Sequence, residues 1–201
     1  AKFICKKLIR RFVNDTPSQK LIDSAALIFR ANWHNPKQIE ITLRHILNSA
    51  GIERFPEFQF DMVRLGIGHY GITALPGVKL ATVCTLKTVI LQIRNVKAGD
   101  TVGYSRRGKL TRDSRIGVIP IGYADGFDRH LSNGVGEVWV NGHRARVVGN
   151  VSMDISMIDF TDIPANEGDE VEIFGNNITL DEMADKLQTI PYEILTSVSR
   201  R

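Results

Sequence analysis

The hydrophobic period changes at about Leu80 from helical spacing to a period of two, and no other feature constrains the fold as strongly. Beyond it residues 81–96 alternate for long stretches, with Val89, Leu91, Ile93 and Val96 forming a strand-like run. Residues 116–121 are apolar and run into Gly122. Residues 137–140 meet Asn141-Gly142 and continue into 143–148. That is a two-residue hairpin pattern, because Asn-Gly supplies positive φ at both turn positions. Residues 152–160 alternate again, and 170–174 are followed by Gly175-Asn176-Asn177. Thr179-Leu180-Asp181-Glu182 is a capping box that predicts a helix, with Met183, Ala184 and Leu187 as its buried stripe. Residues 190–195 are then expected to resume extended structure. Short strands with regular turns predict a mostly β barrel or sandwich over roughly residues 76–201.

Before Leu80 the reading is different. Phe3, Ile4, Leu8, Ile9, Phe12 and Val13 recur at helical spacing, and Asn14-Asp15-Thr16-Pro17 breaks the pattern. A second helix is predicted over 18–30 and a loop over 32–36. Residues 38–47 alternate at first, which favours a strand without excluding a helix, and Asn48-Ser49-Ala50-Gly51 carries turn chemistry. A short helix over 54–62, entered past Pro56, precedes a strand over 62–68 that ends in glycines. Strand, helix and strand in that order form a βαβ-type unit. The organisation expected is an α/β front segment, residues 1–75, joined through Leu75-Pro76-Gly77 to a β domain, residues 76–201.

Composition narrows the function classes. The chain has 201 residues, 43% hydrophobic and 24% charged, which excludes a disordered or collagen-like chain. No apolar run approaches the ~18 residues that cross a bilayer. The net charge of +4 is uneven: residues 1–50 hold nine Lys/Arg against three Asp/Glu, and residues 51–201 hold 17 against 19. A basic nucleic-acid face over the main body is therefore not supported, and the front reads as a solvated helix face. Cys5 and Cys84 are too few and too far apart for a disulfide framework or a zinc site, and the opening residues lack a secretory leader, so a cytoplasmic protein is expected. His34, His45, His69, His130 and His143 show no metal-ligand spacing, and no metal is predicted.

Three clusters sit oddly in plain β structure. In Ile121-Gly122-Tyr123-Ala124-Asp125-Gly126-Phe127, a tyrosine between glycine-permitted bends can project its hydroxyl as an acid/base, or pack its ring and cap a turn. In Arg64-Leu65-Gly66-Ile67-Gly68-His69-Tyr70-Gly71, glycines after a strand let backbone N–H groups approach an anion, or simply make a bend beside a surface arginine. Val148-Gly149-Asn150-Val151-Ser152-Met153-Asp154 reads on pattern alone as a strand with one bulge at Gly149.

Taken in order, these blocks resemble the alanine racemase family. The resemblance also includes Arg44-His45-Ile46-Leu47-Asn48-Ser49-Ala50-Gly51 and Ile190-Pro191-Tyr192-Glu193, covers about residues 42–195 and is poor over 1–37. It implies that the front segment is the remnant of a TIM-like barrel, and that the parent is an isomerase using pyridoxal 5′-phosphate to interconvert L- and D-alanine for peptidoglycan. Tyr123 matches the tyrosine that moves a proton on one face of the substrate α-carbon. Arg64 matches the partner of the cofactor's pyridine nitrogen. Asn48, Ser49, Gly66, Ile67 and Tyr192 match the phosphate-binding positions, and Met153 the position whose backbone holds the substrate carboxylate. The family's site is shared across a homodimer, so Tyr123 and Met153 would serve the partner's barrel.

The departures matter as much. The family's Schiff-base lysine and its substrate-gripping barrel arginine have no match here, so this piece is expected to be inactive alone. Asn150 stands where many members carry arginine, and Ser152 where many carry cysteine. Fused enzymes that join a cell-wall ligase to a racemase contain similar segments. Two other readings stay open: a non-catalytic β module whose basic arm binds nucleic acid or protein, and a racemase for another amino acid such as serine.

Overall fold

The computed structural model describes residues 47–199, together with Gln19 and Asp23. The helices expected over 3–13 and 18–30, the loop at 32–36, residues 38–46, Cys5, His34 and His45 lie outside the described residues. The chain divides into two compact units between Ala81 and Thr82.

In the first unit, Asn48 opens a helix rather than closing an element. Its φ of −90° and ψ of −174° are extended, and its side chain accepts from the Gly51 N–H at 3.0 Å, which caps α1 (Ser49–Arg54). The Asn-Ser pair expected to make a turn is thus a helix start, because asparagine satisfies one of the first-turn donors. Helix α1 stops at Phe55 (φ −136°, ψ 60°) before Pro56, so the expected 54–62 helix shrinks to a 3-10 turn at Pro56–Phe58. The Glu53 carboxylate accepts from Thr73 Oγ1 at 2.6 Å and from the Ala74 N–H at 3.1 Å, pinning that loop to α1.

The strand expected over 62–68 is only one parallel bridge, Asn48 with Arg64, where the Arg64 N–H donates to the Leu47 carbonyl at 2.9 Å. The glycines that follow admit a 3-10 turn, Ile67–Tyr70, closed by Gly71 at φ +79°. Among the described residues this unit shows one parallel contact and no barrel.

The second unit is mostly β. Strands β1 (Leu86–Val89), β6 (Glu137–Val140), β7 (His143–Arg146) and β9 (Glu170–Phe174) form an antiparallel sheet in the order β1-β9-β6-β7. Strands β2 (Gln92–Val96), β5 (Ser114–Ile119) and β8 (Ser156–Asp159) form a second, in the order β2-β5-β8. Strands β3 (Thr101–Val102) and β4 (Gly108–Lys109) make a small hairpin. The sheets are open, and no closed barrel is found among the described residues.

The alternating run over 81–96 is not one strand. It changes sheets at Ile90-Leu91: the Ile90 N–H donates to Asp169 O at 3.0 Å and the next N–H, of Leu91, to Val118 O at 2.8 Å. A bridge between Val147 and Ile158 links the sheets a second time. Between them Ile119, Phe127, Val138, Ile158, Phe160 and Val171 are buried. Asn141-Gly142 turns the β6–β7 hairpin with φ of 45° and 86°, as the sequence predicts.

Thr179 caps α2 (Leu180–Leu187), its Oγ1 accepting from the Glu182 N–H at 3.1 Å, again as predicted. Residues 190–195 depart from expectation: they begin α3 (Pro191–Ser197) rather than a strand. Pro191 is the first helical residue, where its fixed φ suits the helix and its missing N–H costs no bond. The end of α3 is clasped by the Tyr123 turn, since Ser199 N donates to Asp125 O at 3.2 Å. A Cβ on Gly126 (φ +99°) would lie 2.6 Å from Ser197 O.

Helix α2 is tied to the first sheet by charge. The Arg144 guanidinium on β7 grips the Glu182 carboxylate with both terminal nitrogens, and Lys186 Nζ lies 2.8 Å from Glu137 and 3.1 Å from Glu182. The hydrogen bonds from Arg144, against the penalty of partial burial, hold the Glu182 carboxyl down at about 2 from 4.5. A depressed carboxylate stabilises the fold above its unfolded value and ceases to do so as pH falls through the folded one. Stability is therefore expected to fall between about pH 4.5 and pH 2. Glu182→Gln should be less stable at pH 7 and should lose much of that acid dependence; urea melts of the two proteins from pH 7 to pH 2 check it. Parallel pH profiles would remove Glu182 from the role.

Candidate active site

The second unit carries a cleft of about 920 Å³ lined by Tyr104, Tyr123, Asp128, His130, Asn150 and Met153 among others. Its tyrosines arrive by two routes. Tyr123 begins a 3-10 turn, Tyr123–Asp125, seated backbone to backbone on the Ser152-Met153 bend. The Tyr123 N–H donates to Ser152 O and the Ala124 N–H to Met153 O, each at 3.0 Å. That approach requires glycine just before the tyrosine: a Cβ on Gly122 would lie 2.3 Å from both carbonyl oxygens. Asp125 accepts from the Gly122 N–H at 3.0 Å and closes the turn. The two clusters singled out in the sequence, around Tyr123 and around Met153, are thus one site.

Tyr104 is the residue that sequence reasoning missed. It sits at the tip of the β3–β4 hairpin, in a loop held far from ordinary backbone geometry. Gly103 has φ +76°, and Ser105 and Arg106 have φ of 58° and 54°. Two consecutive non-glycine residues in the left-handed region are held at a cost of order 1 kcal/mol each. The loop leaves Tyr104 73% exposed, against 45% for Tyr123. The available sequence cue was Gly103 before a tyrosine between two short strands, a pattern that resembles an ordinary turn.

Met153 is half exposed on the cleft wall, and its neighbour Ser152 is buried with an Oγ that has no hydrogen-bond partner among the described residues. His130 Nδ1 lies 2.8 Å from Asp128 Oδ1, both at the cleft edge. Tyr192 is on α3, half exposed, with its carbonyl accepting from Thr196 Oγ1 at 2.9 Å.

The first unit holds the other expected residues together. Ser49 is 5% exposed, and its Oγ accepts from the Gly66 N–H at 2.8 Å and the Gly68 N–H at 3.3 Å. The Gly66 N–H, expected to face an anion, is thus directed at the serine. With its acceptor capacity engaged, that hydroxyl has its proton left to donate. Arg64 is exposed two residues before Gly66, Ile67 begins the 3-10 turn, and the Asn48 side chain is occupied as the α1 cap.

Comparisons with known proteins identify the family. The chain belongs to the alanine racemase family: residues 83–201 match the family described as alanine racemase, C-terminal domain. Residues 1–60 also match a family described as a protein of unknown function (DUF1800).

Alanine racemase 1 of Clostridium acetobutylicum is 42% identical over 175 residues, which cover 82% of this chain and 45% of that protein. The alanine racemase of Rickettsia bellii is 41% identical over 162 residues, covering 78% of this chain and 39% of that one. In structure, the chain is similar to alanine racemase from Bartonella henselae with covalently bound pyridoxal phosphate. The TM-score is 0.74 at 38% identity, over 82% of this chain and 48% of that one. The chain spans less than half the length of these relatives.

Proposed function

We propose that this chain supplies the β domain and part of the cofactor cradle of a racemase that interconverts L- and D-alanine with pyridoxal 5′-phosphate. The observation that carries the reading is the strained 103–106 loop, which holds a phenol over the same cleft as Met153. The first unit fits the cofactor's phosphate. The buried Ser49 oxygen accepts from two glycine N–H groups, which leaves its proton for a phosphate oxygen, and a Cβ on Gly68 would intrude to 3.0 Å of Leu65. Ser49 and Ile67 would hold the phosphate, with Asn48 fixing Ser49 in place and the Gly66 N–H orienting the serine hydroxyl. Arg64 would hydrogen-bond the pyridine nitrogen. When bound, pyridoxal phosphate supplies the electron sink that acidifies the substrate's α-carbon.

The residues of the β unit do the rest. The Met153 backbone would orient the substrate carboxylate. A tyrosine oxygen then gives or takes the proton on one face of the α-carbon. Racemisation needs a second acid/base on the other face, and the lysine that the family implies for it has no match among these 201 residues. The resemblance assigned the tyrosine role to Tyr123. The display of Tyr104 favours Tyr104, with Tyr123 as the second phenol of the cleft. A homodimer, in which each β unit completes the partner's site, follows from the same reading, as does a place in the cytoplasm among the steps that feed peptidoglycan.

A chimera of residues 42–201 with the N-terminal part of the Clostridium acetobutylicum relative should interconvert L- and D-alanine. The 201-residue chain mixed with pyridoxal phosphate should not. A chimera that folds, takes up cofactor and racemises serine in preference to alanine would move the substrate assignment. One that racemises neither would overturn the function.

A further inference from the structure

We propose that Asn150, backed by Asn133, is a positioning residue that fixes the Tyr104 loop over the cleft; this rests on the reading of Tyr104 as the proton-transferring group. Three observations meet at Asn150. Its Nδ2 donates to the Tyr104 carbonyl at 3.4 Å, a polar bond from the 149–154 segment to the loop. Its Oδ1 is in turn held by Asn133 Nδ2 at 3.2 Å. Asn133 is itself set by the backbone, with φ 56° and its N–H donating to Gly149 O at 2.8 Å. A side-chain amide is suited to this place because it accepts on one side and donates on the other. A carboxylate would present an acceptor to the Tyr104 carbonyl instead.

The backbones reinforce the link. A Cβ on Gly149 (φ +68°) would lie 2.8 Å from Val102 O, and one on Gly108 would lie 3.0 Å from Gly149 N. A Cβ on Gly103 would meet Met157 Cε at 3.0 Å. Glycines on both sides therefore let the β3–β4 hairpin rest directly on the 149–150 segment. Strained loops persist only where their surroundings over-determine them. Close backbone seating sets the hairpin's height, and the Asn133–Asn150 pair sets its tip. An arginine here would have donors but no acceptor, so Asn133 could not hold it in the same way.

The test uses the full chain. Asn150→Asp should shift the Tyr104 ring signals in NMR spectra and raise the exchange rate of the Arg106 amide, which donates to Gly103 O at 3.3 Å, at least tenfold. The Tyr123 ring signals and the β5 amides should stay in place, which separates a displaced loop from general unfolding. Asn133→Gly keeps the left-handed backbone, removes the amide and should produce the same changes more weakly. Tyr104 signals and Arg106 exchange unmoved in both variants would overturn the proposal. If Tyr104→Phe leaves the chimera fully active while Asn150→Asp still moves the Tyr104 ring, the functional reading fails and the positioning link stands.

Discussion

Tyr104→Phe is expected to lower alanine racemisation by the assembled enzyme roughly a thousandfold, the scale at which a positioned acid/base contributes. The substitution removes one oxygen and leaves the ring, so the hairpin and its strained tip should persist. Loss should therefore appear in kcat more than in KM. Tyr123→Phe should cost less, about tenfold or below, because the Tyr123 turn is anchored through its backbone and through Asp125 rather than through its phenol. Steady-state rates in both directions, with circular dichroism to establish folding, decide between the two tyrosines. If Tyr123→Phe is the crippled variant and Tyr104→Phe is near normal, the assignment made from the family resemblance is correct and the one made from loop geometry is wrong.

The second large effect is structural. Gly122→Ala should destabilise the β unit by about 3 kcal/mol, the upper range for a forced backbone displacement. The backbone angles at Gly122, φ −146° and ψ −166°, are open to alanine. The penalty comes entirely from placing a methyl group 2.3 Å from the Ser152 and Met153 carbonyls. Relief requires the Tyr123 turn to lift off, which breaks the hydrogen bonds from Tyr123 and Ala124. A melting temperature lowered on the order of 15 °C is the expected readout for a unit of this size. An unchanged melting temperature would mean that the turn has freedom to move. Gly142→Ala, at a position where a Cβ meets nothing within 4 Å but φ is +86°, separates strain from clash. It should cost about 1 kcal/mol.

What could be read from the chain before its coordinates follows a physical division. Periodicity and turn chemistry are local, so the Asn141-Gly142 hairpin and the Thr179 cap were legible. The sheet change at Ile90-Leu91 was not, because alternation says which residues face inward but not which strand receives each N–H. Helix α3 was misread for a related reason: Ile190, Tyr192 and Ile194 alternate, and the helix-starting position of Pro191 outweighs that pattern. Asn48-Ser49 has the same ambiguity, since the residues that make turns also cap helices.

Among the candidate residues, the blocks around Tyr123 and Met153 in one unit, and those from Ser49 to Gly68 in the other, stood out through glycines and family resemblance. Tyr104 did not, because backbone strain has no residue-type signature when serine and arginine occupy the left-handed positions.

The corner at Ile90-Leu91 has a mechanical consequence. One peptide step carries the load from one β layer to the other. A pull on the segment before β1 cannot peel a strand from the first layer without tugging on β5 in the second. The unit should accordingly rupture in a single event under force, and a protease should find no stage at which half of it hangs open.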